Sequence, residues 1–140
     1  MHILIVNGPN LNRLGTRETE IYGTATLQDI EGRLKEKFPD QKFEFYQSNS
    51  EGEIIDKLHH AADAGFDGVI INPGAYAHYS YAIRDAISSL QIPVVEVHLT
   101  NVHARERFRH VSVTASVCKG VIAGFGPVSY ELAVRFLVEG

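Results

Sequence analysis

The chain has 140 residues, 44% hydrophobic and 21% charged, a composition that builds one domain with a buried apolar core and excludes disorder as its main state. A formal charge of −4 argues against broad nucleic-acid binding, no apolar run reaches the ~20 residues of a membrane span, and no export segment follows Met1. Cys118, the single cysteine, has no partner for an internal disulfide, so a cytoplasmic one-domain protein over residues 1–140 is expected.

His2–Asn7 is a continuous apolar run, the pattern of a strand buried on both faces. A long polar stretch, residues 8–24, follows it and holds Asn10, Asn12, Arg13, Arg17 and Tyr22. Leu27, Ile30, Leu34 and Phe38 then recur at helical spacing behind Thr26-Leu-Gln-Asp29, a capping box with Asp in place of Glu. Lys42–Gln47 reads as the second strand, and Ser50 opens a second helix with Ile54, Ile55, Leu58 and Ala62 facing inward. Gly68–Asn72 is the third strand and 79–90 the third helix. Residues 93–99 form the fourth strand, followed by a second long connection, 100–119, and a fifth strand at 121–124. Pro127 opens the last helix, 128–138. Strands alternating with helices imply a parallel sheet covered on both faces. Five such units in this length fit a flavodoxin-like doubly wound α/β sheet of strand order 2-1-3-4-5.

In that architecture ligands sit beyond the carboxyl ends of the strands, at the switch point between strands 1 and 3. The polar residues sort to this edge: Asn7 to Asn12 after strand 1, Asn72 to His78 after strand 3, and Glu96 to Asn101 at strand 4. Glu96 and His98 share one face of an otherwise apolar strand. A buried carboxylate needs a partner, and the imidazole is the obvious one, either as a general acid or base oriented by Glu96 or as a satisfied structural pair. Arg105 and Arg109 stand four apart, on one face if Asn101 caps a short helix. Three arginines against one glutamate between 101 and 109 suit a carboxylate or phosphate ligand; an isolated pair is more often a solvated helix face, but the position beside strand 4 points to an anionic ligand. Tyr22 on the first long loop is an ordinary packing residue unless cations favour its phenolate, for which Arg17 and a member of the Arg105/Arg109 pair are the candidates.

No dinucleotide fingerprint, Walker loop, nucleophile elbow or paired-histidine zinc motif is present. None of the five lysines follows a strand's carboxyl end, so imine chemistry lacks a nucleophile, and Cys118 lies at the wrong edge of the sheet.

Asn7-Gly-Pro-Asn-Leu-Asn-Arg-Leu-Gly15, Arg17, Tyr22-Gly23, Asn72-Pro-Gly-Ala-Tyr76, His78, Val95-Glu-Val-His98 and Ala104-Arg-Glu-Arg-Phe-Arg109 together resemble the type II 3-dehydroquinate dehydratases, over essentially the whole chain. The resemblance implies anti elimination of water from 3-dehydroquinate, through an enolate, to 3-dehydroshikimate, a step of the shikimate pathway of aromatic amino-acid biosynthesis. It makes Tyr22 the proton acceptor and His98 the proton donor, oriented by Glu96, with Arg17 and Arg105 favouring the Tyr22 phenolate and Asn12 holding the water that meets the enolate oxygen. Asn72, His78, Asp85, Leu99, Thr100 and Arg109 would bind the substrate's carboxylate and hydroxyls. It also implies no metal, no organic cofactor, and a homododecamer built as a tetramer of trimers. Thr100 stands where the family more often has serine, which keeps the hydroxyl and adds a methyl group. Two other readings are a flavodoxin-like nucleotide- or flavin-binding module without turnover, which would lack its phosphate loop, and an idle assembly subunit, which would leave Tyr22, His98 and the arginines unexplained.

Overall fold

Alternate residues of the central strands point to opposite faces of one sheet, and two separate apolar clusters form on those faces. The computed structural model describes all residues 1–140. Strands β1 (His2–Asn7), β2 (Lys42–Gln47), β3 (Gly68–Asn72), β4 (Val94–His98) and β5 (Gly120–Ala123) pair in parallel in the order β2-β1-β3-β4-β5. This is the expected flavodoxin-like arrangement. Ile3, Ile5, Ile70, Val95 and Val97 meet helices α2 (Leu27–Lys37) and α5 (Val128–Glu139) on one face. Leu4, Val6, Val69, Ile71 and Val94 meet α3 (Glu51–Asp63) and α4 (Tyr81–Ser88) on the other.

The helix starts follow the side chains that cap them. Thr26 accepts from the Asp29 N–H while Asp29 accepts from the Thr26 N–H, so the capping box closes with aspartate. Ser50 caps α3 on Glu53 N. The third helix is shorter than the expected 79–90, because Ser80 accepts from Ile83 N and the preceding 3-10 turn Gly74–His78 takes up the chain as far as Tyr79. In α3 it is Ala61, with Ile54 and Leu58, that is buried; Ala62 faces outward, since the helix meets the sheet one residue earlier in its turn. The fourth strand is one residue shorter at each end than the expected 93–99, and the fifth lies one residue earlier than the expected 121–124. Glu131 on α5 receives Arg33 at 2.7 Å and Lys37 at 3.1 Å, tying the two helices of that face together.

Neither long connection is structureless. Residues 8–24 contain the 3-10 turn Leu11–Arg13 and a single helical turn, α1 (Thr19–Tyr22). Residues 100–119 contain three 3-10 turns, Val102–Ala104, Arg107–His110 and Ala115–Val117. The loops after β1 and β3 touch backbone to backbone: a Cβ on Gly8 would lie 2.5 Å from the Pro73 carbonyl oxygen. Only glycine permits that approach, which brings the two switch-point loops to one rim.

Candidate active site

β1 and β3 end in Asn7 and Asn72, side by side in register, and both amides turn to Tyr130 of α5. Gly74 N–H donates to Asn72 Oδ1 at 3.1 Å, which fixes the amide oxygen. Asn72 Nδ2 therefore donates to the Tyr130 hydroxyl at 3.0 Å, and that hydroxyl sends its proton to Asn7 Oδ1 at 2.5 Å. Burial pushes the Tyr130 phenol up, so it stays a neutral relay.

Above this base lies a cleft at the carboxyl edge of the sheet, between the loops that follow β1, β3 and β4. Arg17, Tyr22, Asn72, His78, His98, Leu99, Thr100, Arg105 and Arg109 line it. The Tyr22 hydroxyl accepts from Arg105 Nη1 at 2.7 Å and from Arg17 Nη2 at 3.1 Å. The same two guanidinium carbons lie 4.8 Å and 4.0 Å from the ring centroid. Thr100 Oγ1 accepts from Arg105 Nη1 at 3.3 Å, so the threonine hydroxyl is used inside the protein. Hydrogen bonds donated into a phenolic oxygen stabilise negative charge that develops there.

Across the cleft, Glu96 lies fully buried behind His98, with Oε2 2.8 Å from His98 Nε2. Burial works to raise the Glu96 carboxyl, but bonds from His98, Thr114 and Ser112 prevail and hold it below its ordinary 4.5. His78 Nδ1 meets the Val111 carbonyl at 2.8 Å. Burial first, then the charges of His98 and Arg109, keep His78 below its ordinary 6.5 despite that bond. A carbonyl only accepts, so the neutral ring carries its proton on Nδ1 and offers Nε2 as an acceptor.

Three expectations do not match this geometry. Arg105 and Arg109 do not share a helix face: Asn101 caps only the turn Val102–Ala104, and Arg105 is extended before the next turn begins. Their guanidinium groups meet at the cleft through the loop's path. Asn12 lies outside the cleft, exposed, with its Oδ1 3.5 Å from Gln47 Nε2. Asn10 lines the cleft instead. Its φ of 69° and the Leu11 N–H bond to Gly8 O describe a type II turn over Gly-Pro-Asn, and its N–H donates to Asn49 Oδ1 at 3.0 Å. Proline followed by asparagine is the sequence signal for that turn, and it singles out Asn10 as the residue turned to the edge. Asp85 also lies outside, exposed on α4, whose buried face is made by Ile83, Ala86 and Ile87.

Cys118 is half-buried with its thiol pushed up to about 12 by burial and by the Glu96 charge, so it supplies no thiolate. No group of three His, Cys, Asp or Glu residues stands close enough together to hold a metal ion. No helix is long and apolar enough to cross a membrane.

A doubly wound α/β fold whose carboxyl edge gathers a tyrosine, a Glu-His pair and three guanidinium groups defines an enzyme of acid–base chemistry on a small anion. The family described as Dehydroquinase class II matches residues 1–138. The 3-dehydroquinate dehydratase of Bacillus cereus (strain AH187) is 55% identical over 139 residues, which is 98% of this chain and 94% of that protein. The crystal structure of the type II dehydroquinase from Butyrivibrio crossotus DSM 2876 superposes with a TM-score of 0.97 at 50% identity, covering 99% of this chain and 98% of that one. The type II dehydroquinase from Propionibacterium acnes gives 0.94 at 45% identity, covering 99% and 97%. The chain belongs to the class II dehydroquinase family.

Proposed function

We propose that residues 1–140 act as a single catalytic domain that removes water from 3-dehydroquinate by anti elimination and releases 3-dehydroshikimate, as a hydro-lyase of the shikimate pathway. The observation that carries this reading is the Tyr22 hydroxyl, held by two guanidinium groups on one side of a cleft whose other side is the Glu96–His98 pair. Tyr22, as phenolate, takes the proton α to the ketone, and the electron pair passes into the enolate. Asn10, at the rim where Asn12 was expected, supplies the amide that holds a water against the enolate oxygen. The enolate then collapses as His98, protonated and paired with Glu96, gives its proton to the departing hydroxyl, so one water leaves for each substrate consumed. Arg109, the Leu99–Thr100 backbone, Asn72 and the Nε2 acceptor of His78 hold the carboxylate and remaining hydroxyls.

The working unit is a homododecamer assembled from trimers. Tyr79, Tyr81, Phe108 and Val111, each more than half exposed, cluster around His78 and α4 and offer an apolar contact surface beside the cleft. Asp85, facing outward on the same helix, reaches substrate only in a neighbouring copy's cleft. A lone thiol suits a reducing cytoplasm.

The test is direct. The purified chain, given 3-dehydroquinate, is expected to produce the absorbing enone of 3-dehydroshikimate. Tyr22→Phe is expected to lose at least about a hundredfold in kcat, with KM changed by no more than a few fold, because only the proton acceptor is removed. Folded wild-type protein that forms no enone overturns the reading, and near-normal kcat in Tyr22→Phe overturns the role of the base.

A further inference from the structure

Residues 111–114 cross behind the cleft without helix or strand, and none of them lines it. Yet every one of the four is bonded to an element that does. Val111 offers its carbonyl to His78 Nδ1 at 2.8 Å. Val113 donates its N–H to Ala77 O at 2.7 Å and accepts from Arg84 Nη1 at 3.1 Å. The alternate residues, Ser112 and Thr114, face the other way, toward β4. Ser112 Oγ donates to Glu96 Oε2 at 2.8 Å, and the fully buried Thr114 donates its hydroxyl to Glu96 Oε1.

The directions of these bonds follow from their chemistry. Ser112 Oγ already accepts from the Ala115 N–H at 3.1 Å, so its own proton is free to go to Glu96. With Thr114 on one oxygen, and Ser112 and His98 Nε2 on the other, every close partner of the carboxylate is a donor. A carboxylate so placed only accepts, which keeps a proton on His98 Nε2 and leaves Nδ1 as the ring nitrogen available to a ligand. His78 is fixed the opposite way, by a carbonyl on Nδ1, with Nε2 left to accept.

We propose that Ser112 and Thr114 are positioning residues for the elimination: their hydroxyls clamp both oxygens of Glu96, which in turn presents His98 as a proton donor. The same short strap, through the Val111 carbonyl, presents His78 Nε2 as a hydrogen-bond acceptor. One segment thus fixes the tautomers of two histidines whose rings lie 6.4 Å apart, with a carboxylate behind one and a neutral carbonyl behind the other. The inference rests on the role of His98 given under Proposed function.

Among the groups facing Glu96, His98 is the basic side chain bonded to its carboxylate. His98 lies on the same strand, His78 approaches from the turn after β3, and Cys118 from ahead of β5. Arg109 faces His78, where it opposes a positive charge, and the Cys118 thiol stays protonated to about 12.

Thr114→Val and Ser112→Ala, with Thr114→Ser as the conservative partner, test the clamp through steady-state kinetics and through NMR of the Glu96 carboxyl carbon and the His98 and His78 ring nitrogens. Each hydroxyl removed is expected to lower kcat roughly tenfold, the loss of one charge-assisted bond, with KM within about twofold because neither side chain touches the cleft. The Glu96 titration is expected to move up by about one pH unit, the His78 nitrogens to stay as in wild type, and Thr114→Ser to restore both kcat and titration. A purely structural role would lower thermal stability and leave the Glu96 titration unmoved. Wild-type turnover with kcat and the Glu96 titration unchanged in both Ser112→Ala and Thr114→Val overturns the proposal; Ser112→Ala, at a half-buried position, carries the test alone if the valine variant fails to fold. Absence of turnover in the wild type overturns the reading of the function, and the Glu96 titration then still decides whether the hydroxyls set its charge.

Discussion

Two tyrosines near the same cleft are given different chemistry by their surroundings. Tyr130 is sealed in the core, its hydroxyl committed to an asparagine on either side. Tyr22 sits at the cleft with two guanidinium groups aimed at its oxygen. The acid side of the site has a pH signature of its own. His78 and Glu96 are both held below their ordinary values of 6.5 and 4.5, so the unfolded chain takes up each proton more readily than the folded one. The stability each contributes is complete above its unfolded value and is lost as pH falls through its folded value. Melting temperature is therefore expected to decline in two stages, the first below about 6.5 and the second below about 4.5. His78→Gln should remove the upper stage and leave the lower one. A wild-type melting temperature that rises across the upper window would contradict this, and differential scanning calorimetry in a series of buffers measures it.

At the scale of elements, the carboxyl ends of β1 and β3 are joined to α5 through Tyr130, so a helix on the far face of the sheet steadies an amide at the cleft. Tyr130→Phe keeps the ring and removes the hydroxyl, leaving Asn7 Oδ1 and Asn72 Nδ2 without their partner. Each orphaned buried group costs about 1–3 kcal/mol, and denaturant unfolding should show a loss in that range or somewhat above it. Because Asn72 would then turn more freely at the cleft edge, KM is expected to rise while kcat changes less. Unchanged unfolding midpoint and KM would show the relay to be idle. The strands themselves were readable from the residues, since continuous apolar runs such as Gly68–Asn72 have one explanation in a parallel sheet. The loops were not. Arg105 and Arg109 reach one cleft because the chain breaks at Arg105 between two 3-10 turns, a path no four-residue spacing describes.

For the whole molecule, a chain of net charge −4 carries its site in a local concentration of Arg17, Arg105 and Arg109. Total charge describes the solvated surface; the ligand meets only the groups converging on the rim. The apolar residues beside that rim, and Asp85 beyond it, place the remaining question at the level of assembly. Light scattering is expected to give a dodecameric mass. Asp85→Asn, a change at an exposed position, should leave stability within about 0.5 kcal/mol and raise KM severalfold in the assembled protein. A fully active monomer, or a variant with unaltered KM, would sever Asp85 and the exposed apolar cluster from the site.

The sequence by itself determined the alternating strands and helices and the place of Glu96 and His98 on one strand face, because hydrophobic period and a two-residue spacing on a strand are local properties; the strand order followed from the architecture that five such units fit. It also placed Arg17 and Tyr22 on one loop and named the arginines that could join them. Only the tertiary structure decided that Arg105, 83 positions from Tyr22, donates to its oxygen, that Asn10 rather than Asn12 turns to the cleft, and that Ser112 and Thr114 reach Glu96 from a strap. Those contacts join segments far apart in the chain or depend on the φ of a single turn residue. Neither is encoded in residue spacing; both are set where the loops close over the sheet edge.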